Sequence, residues 1–290
     1  EYAAESGSLP LGGGSVYSYT VNVDKYSAAD IPAFKEEPYL YNADQYYTAL
    51  HYDIRSLTIP GSVYEDFSVN WGDVDDSYLD SDMMRRFRAQ CQFKDEVAAL
   101  PADGSDKDRI VSAVKLVKGK VAWDKSYKVF PQPLAQVVKA QSGTNADINC
   151  LIAGCLREMG YTVEPVMIKL RSSGLLLEHQ PEMHPYDTFI LKVTAADGTS
   201  YYLDGGSDDA YINVLSPLML VEKARVLRPE RMSQWVDLTR LGRNGTIMSV
   251  KASVAPDMTL SGTVSSKFSG QDSYSIKRDY NSFDDEDGFI

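Results

Sequence analysis

Covalent thiol chemistry needs a cysteine, a histidine to pair with it and a carboxylate to hold that histidine. A helix N-terminus helps, because its unpaired N–H groups and positive dipole end favour a thiolate. The chain has a frame of that kind: a helix starting at Asn145, a strand starting at Thr188 and a second strand ending at Asp204. Asn145 is not a usable nucleophile, since an amide neither ionises near neutral pH nor attacks readily. Thr188 lacks a basic nitrogen and cannot serve as general base. Of the three, only Asp204 carries an ionisable group.

Displaced groups offer an alternative catalytic arrangement. Cys150 lies five residues into the helix, about 140° around it from Asn145. It would need His184, four residues before Thr188 and followed by Pro185, or His179 in the same polar loop. The structural readings are simpler. Asn145 serves as an N-cap. Thr188 fills a buried strand position. Cys150 and Cys155 pack as small apolar residues. Arg157 pairs locally on the helix, and Asp204 ends its strand before Gly205-Gly206.

The positioning elements follow from periodicity. Residues 145–159 are almost wholly apolar and stop at Gly160, which reads as a helix central to a domain. Residues 83–97 and 106–118 carry helical spacing, with Ile110, Val111, Val114 and Val117 on one face of the second. Residues 133–140 predict a further short helix. Residues 163–170, 188–194 and 200–204 predict strands, the last two joined at Asp197-Gly198. Upstream, residues 1–14 read as a loose start, and 16–23 and 46–59 as strands. The final 60 or so residues alternate again, with turns at Asn244-Gly245 and Pro256-Asp257. The acidic run 284–287 reads as a solvated tail.

Composition removes several classes. A net charge of −12 argues against nucleic acid and anionic membranes as partners. No run of about 18 apolar residues is present, so no membrane-spanning helix is expected. The three cysteines, Cys91, Cys150 and Cys155, suggest neither a metal site nor a disulfide framework, and no cofactor is expected. Asp204 with Asp208 and Asp209 is too weak a pattern for Ca²⁺.

Gly143-Thr144-Asn145-Ala146-Asp147, followed by an apolar helix ending Leu156-Arg157-Glu158-Met159-Gly160, resembles the core motif of the transglutaminase-like superfamily of papain-like thiol enzymes. In that motif the catalytic cysteine falls on Asn145. The histidine of its aromatic-x-His-apolar-apolar strand falls on Thr188, within Tyr186-Asp187-Thr188-Phe189-Ile190. The aspartate falls on Asp204 in Tyr201-Tyr202-Leu203-Asp204, and Trp123 resembles the family's tryptophan before the motif. Residues 31–38 resemble the end of a β domain that precedes such cores in proteins of the Bacteroidetes type, and residues 235–290 resemble the β domain that follows them.

The resemblance implies an α+β fold with a papain/transglutaminase-like core, helices packed on an antiparallel sheet, between β-rich flanking domains. The implied division is 1–70, 71–226 and 227–290. It implies Asn145, Thr188 and Asp204 as remnant triad positions, with Trp123 and Asp147 as cleft neighbours. With cysteine and histidine replaced, it implies a pseudoenzyme that binds a peptide, protein or glycan-linked ligand, or acts as a scaffold. The location implied is secreted, in the periplasm or at the cell surface. The alternative is an active thiol peptidase or transglutaminase-like enzyme using Cys150 with His184 or His179.

Overall fold

The computed structural model describes residues 2–10, 16–35, 37–38, 40–50, 54, 56–58, 64–66, 70–230 and 232–283. The chain divides into two compact units, Glu1–His51 and Tyr52–Ile290.

The first unit is built on an antiparallel hairpin of β1 (Tyr2–Pro10) and β2 (Val16–Asp24). The start expected to be loose is therefore a strand. Its alternation is masked by small residues: Ala3, Glu5, Gly7 and Leu9 lie opposite Val23, Val21, Tyr19 and Tyr17. A Cβ at Gly7 would come within 2.4 Å of the Tyr19 ring, so glycine is needed for that ring to lie across the strand. The strand expected over 46–59 does not form as a unit. A short 3-10 helix, Ala43–Tyr46, precedes it, capped by the Asn42 side chain on Asp44 N. Part of 51–63 lies outside the described residues.

The second unit opens with the short pair β3 (Ser56–Thr58) and β4 (Tyr64–Asp66). Then come α1 (Trp71–Leu79), α2 (Asp82–Phe87), α3 (Lys94–Ala98) and α4 (Asp106–Lys118). The helix expected over 83–97 is two helices. The break has a cause in α6 (Asn145–Glu158), where Arg157 donates to the carbonyls of Phe87 at 2.6 Å and Ala89 at 3.1 Å. Phe87 is the last residue of α2 and Ala89 lies just beyond it, so the guanidinium satisfies one carbonyl at the helix end and one in the connection to α3. Arg157 thus pairs with another helix rather than locally as expected.

Between α4 and α6, β5 (Ala122–Trp123) runs parallel to β6 (Ser142–Gly143), and α5 (Leu134–Ala140) bridges them. α6 is followed by β7 (Thr162–Ile168), β8 (Thr188–Thr194) and β9 (Ser200–Leu203). β10 (Ala224–Val226) and β11 (Gln234–Val236) complete an antiparallel sheet of five strands, ordered β11-β10-β7-β8-β9. Among the described residues the fold is thus mixed, with seven α-helices and several sheets, consistent with the α+β expectation.

Both faces of this sheet are covered, so its strands read as apolar runs rather than as clean alternation. Met167, Phe189, Leu191 and Val193 pack with Ile148, Leu151, Ile152 and Leu156 of α6. Val166, Ile168 and Ile190 pack with Leu215, Met219 and Leu238 on the other side. Every residue of α6 from Asn145 to Leu156 is buried, as the near-continuous apolar run implied. Gly160 ends the following turn at φ +90°.

One cross-strand ion network in the sheet makes stability depend on acid. Glu164 on β7 lies opposite Lys192 on β8 and accepts from its Nζ at 2.9 Å and from Arg228 Nε at 2.8 Å. Burial pushes the Glu164 carboxyl up, the Lys192 and Arg228 contacts pull it down, and the contacts win. A carboxyl lowered on folding adds stability above its unfolded range and loses it as pH falls through its folded value. Glu164→Gln therefore costs about 1 kcal/mol at neutral pH, partial exposure having weakened the pair. In urea titrations that difference from the parent shrinks as pH falls below the ordinary glutamate range.

After the sheet, β12 (Gly245–Val254) and β13 (Leu260–Ser269) form a second long hairpin, turned at Pro256-Asp257 as expected. Asn244-Gly245 leads into β12 rather than forming its own hairpin. An unanticipated helix, α7 (Gln271–Tyr280), follows; its sequence QDSYSIKRDY is mostly polar and buries only Tyr274. Residues 284–287 lie outside the described residues.

Candidate functional site

The N-terminus of α6 is fixed by a reciprocal cap, and the cap is Thr144 rather than Asn145. The Thr144 hydroxyl accepts from Asp147 N at 3.2 Å, and the Asp147 carboxylate accepts from Thr144 N at 2.8 Å. This places Asn145 in the first helical turn, with its side chain free to point inward. The sequence favoured Asn145 because both residues are good caps; the acid three residues after Thr144 completes the capping box.

Asp147 has a second role. Its oxygens accept from Gln132 N at 2.5 Å and Gln132 Nε2 at 3.2 Å. The segment 122–132 is thereby tied over the helix start. Two further bonds continue the tie: Lys128 N donates to Asn145 Oδ1 at 3.1 Å, and Asn145 N donates to Ser126 O at 3.2 Å. Trp123 Nε1 also donates to Ser126 O, at 3.0 Å, and its ring packs against Tyr127 with centroids 5.3 Å apart.

Beneath this segment the three sequence-derived positions meet. Asn145 Nδ2 makes a short hydrogen bond to Thr188 Oγ1. Asn145 and Thr188 are both 0% exposed, and Asp204 is 4% exposed. Asp204 is joined to the other two mainly through Asn149, one helical turn beyond Asn145. Asn149 Nδ2 donates to Asp204 Oδ1 at 2.9 Å and to Phe189 O at 2.9 Å, while its Oδ1 accepts from Gly205 N at 2.7 Å. The other Asp204 oxygen accepts from Gly206 N at 3.1 Å and Ser207 N at 3.3 Å. Burial pushes the Asp204 carboxyl above the usual carboxylate range, and donors on Asn149, Ser207 and Asn145 only partly offset it.

Asn149 was not singled out from the sequence. A signal existed: a second asparagine at i+4 from Asn145, on the same face of an otherwise apolar helix. Gly205 and Gly206 were read as marking the end of a strand; their smallness has a more specific use. A Cβ on Gly205 would sit 2.6 Å from Ile152 Cδ1, and one on Gly206 would sit 2.9 Å from Asn145 Cβ and 3.3 Å from Trp123 Cε2. The pair lets the backbone after β9 close against α6.

The displaced groups lie in different surroundings. Cys150 is 1% exposed within the core, and burial pushes its thiol well above the ordinary range. His184 is exposed and sets its ring edge-on to Tyr78, centroids 6.3 Å apart. His179 is exposed in the same loop. Asp208 pairs with Lys118 at 2.9 Å and Asp209 accepts from Asn281 at 2.7 Å, so these acids do not converge with Asp204. Among the described residues no group of three or more His, Cys, Asp or Glu side chains is placed to hold a metal. No described helix is long and apolar enough to cross a membrane.

No protein-family model matches the chain, and no curated protein matches it. Among solved structures, it is similar to the crystal structure of a protein from Parabacteroides distasonis described as a "putative protease". The identity is 13% and the TM-score 0.44, over 88% of this chain and 49% of that one. The chain therefore spans about half the length of that protein.

Proposed function

We propose that this chain is a non-catalytic transglutaminase-like protein that acts as a binding or scaffold module. The observation that carries the reading is the amide-to-hydroxyl bond between Asn145 and Thr188. It lies where the resemblance would put a thiol–imidazole pair. Neither group can form a covalent intermediate or shuttle a proton near neutral pH. The carboxylate that would orient the histidine is instead engaged by Asn149 and backbone N–H groups. The papain-like core, the three-domain organisation and a periplasmic or cell-surface location belong to the same proposal and rest on the motif resemblance.

Because segment 122–132 covers Asn145, a peptide, protein or glycan-linked ligand would contact the outer lip at Trp123 and Tyr127. Both side chains are half-buried. Iodoacetamide at neutral pH tests the reading against a displaced-thiol enzyme. Cys91, the partly exposed cysteine, labels first, while Cys150 and Cys155 require denaturant. Rapid, acid-quenched labelling of Cys150 in the folded protein would overturn the non-catalytic reading.

A further inference from the structure

We infer that Cys91 and Cys155 form a site of oxidative modification: exchange with a small-molecule disulfide converts them into an internal cross-link. Their sulfurs are 3.6 Å apart although the residues are 64 apart in sequence. Bond formation needs the sulfurs to close by about 1.6 Å, within reach of side-chain rotation when the backbones are already close. Three features set that closeness. Gly154 has no side chain where Cys91 approaches, since a Cβ there would lie 3.3 Å from Cys91 Cα. Arg157, on the same helix as Cys155, holds the carbonyls of Phe87 and Ala89 just before Cys91. Phe93 N donates to Cys91 Sγ at 3.4 Å, orienting that sulfur.

The two thiols differ in access. Cys91 is half-buried and reachable from solvent, whereas Cys155 is 0% exposed. Cys91 therefore attacks first. Its thiolate displaces one thiolate from the small disulfide and leaves a mixed disulfide on Cys91. Burial and the neighbouring Cys91 hold the Cys155 thiol above its ordinary range, so Cys155 gives up its proton as it attacks the Cys91 sulfur and expels the second thiolate. The two protons lost by the protein go to the two released thiols. Two protein thiols are oxidised and one external disulfide is reduced. Cys150 takes no part. The bond would pin the segment between α2 and α3 to the central helix.

Oxidised glutathione on the full chain is the test, followed by alkylation under denaturing conditions and mass spectrometry. The expected product has lost two hydrogens, yields a Cys91–Cys155 linked peptide, and retains one alkylatable thiol, Cys150. Its thermal midpoint rises by several degrees, and reduction by dithiothreitol reverses the rise. Cys150→Ser keeps the cross-link. Cys91→Ser, a change at the partly exposed position, abolishes both the cross-link and the midpoint shift. Three alkylatable thiols after prolonged exposure, or a stable glutathione adduct on Cys91, overturns the inference.

Discussion

Arg225→Met lowers the stability of the unit by about 3–5 kcal/mol, seen as a lower urea midpoint with an unchanged slope. Arg225 is on β10 and Asp75 on α1, and the two form a bidentate pair, Nε to Oδ1 at 2.6 Å and Nη2 to Oδ2 at 2.5 Å. Both are at most 6% exposed. The guanidinium also lies 4.7 Å from the Trp235 ring centre and 5.6 Å from that of Trp71. The two indoles meet edge to face at 4.7 Å. Methionine fills the volume and keeps contact with the rings, but it leaves the Asp75 carboxylate buried without a counter-charge. The cost comes from that orphaned acid more than from the lost attraction. Arg225→Met combined with Asp75→Leu therefore recovers most of the loss. A double mutant no better than the single change would mean that the ring contacts of Arg225, and not its charge pairing, hold α1 to the sheet.

The second large effect is at Asn149. Asn149→Leu preserves size but strands Gly205 N–H and one oxygen of Asp204 inside the core, and leaves Phe189 C=O with only the 3.5 Å donor from Asn145 Nδ2. Each such group costs about 1–3 kcal/mol, so a total loss of about 3–5 kcal/mol is expected by urea unfolding. Asn149→Asp keeps the shape and separates polarity from packing. It sets a second carboxyl beside Asp204, whose own carboxyl burial already pushes up. Carboxyls raised on folding contribute fully below their unfolded range, and that contribution is lost as pH rises toward their folded values. The Asn149→Asp variant is accordingly most nearly normal in mild acid and weakest at neutral pH. A pH-independent deficit would place the damage in packing rather than in proton linkage.

Much of the positioning frame was legible from residue order. The run from Asn145 to Glu158 is too apolar for a surface helix, and Gly160 marks its end. β7, β8 and β9 fall within about two residues of their expected bounds, because apolar runs between turn residues report strands locally. Elements whose cause lies elsewhere in the chain were not legible. α2 ends where Arg157, about 70 residues away, takes the carbonyl of Phe87, a contact that no local pattern announces. β1 exists because β2 offers a partner ladder, not because its small residues favour a strand.

The candidate site divides in the same way. Sequence alone determined that Asn145 and Thr188 carry no nucleophile and no base, since that follows from functional groups and needs no geometry. It also pointed to Asp204 as the acid of the trio. Only the tertiary structure decided how these three are satisfied: Thr144 takes the cap, Asn149 bridges to Asp204, and Gly205-Gly206 lets the strand end close against α6. The physical reason is that a buried polar group must find partners, and those partners come from strands and turns some 40 to 60 residues away. Residue type sets which hydrogen bonds are possible; the packing of distant segments sets which are made.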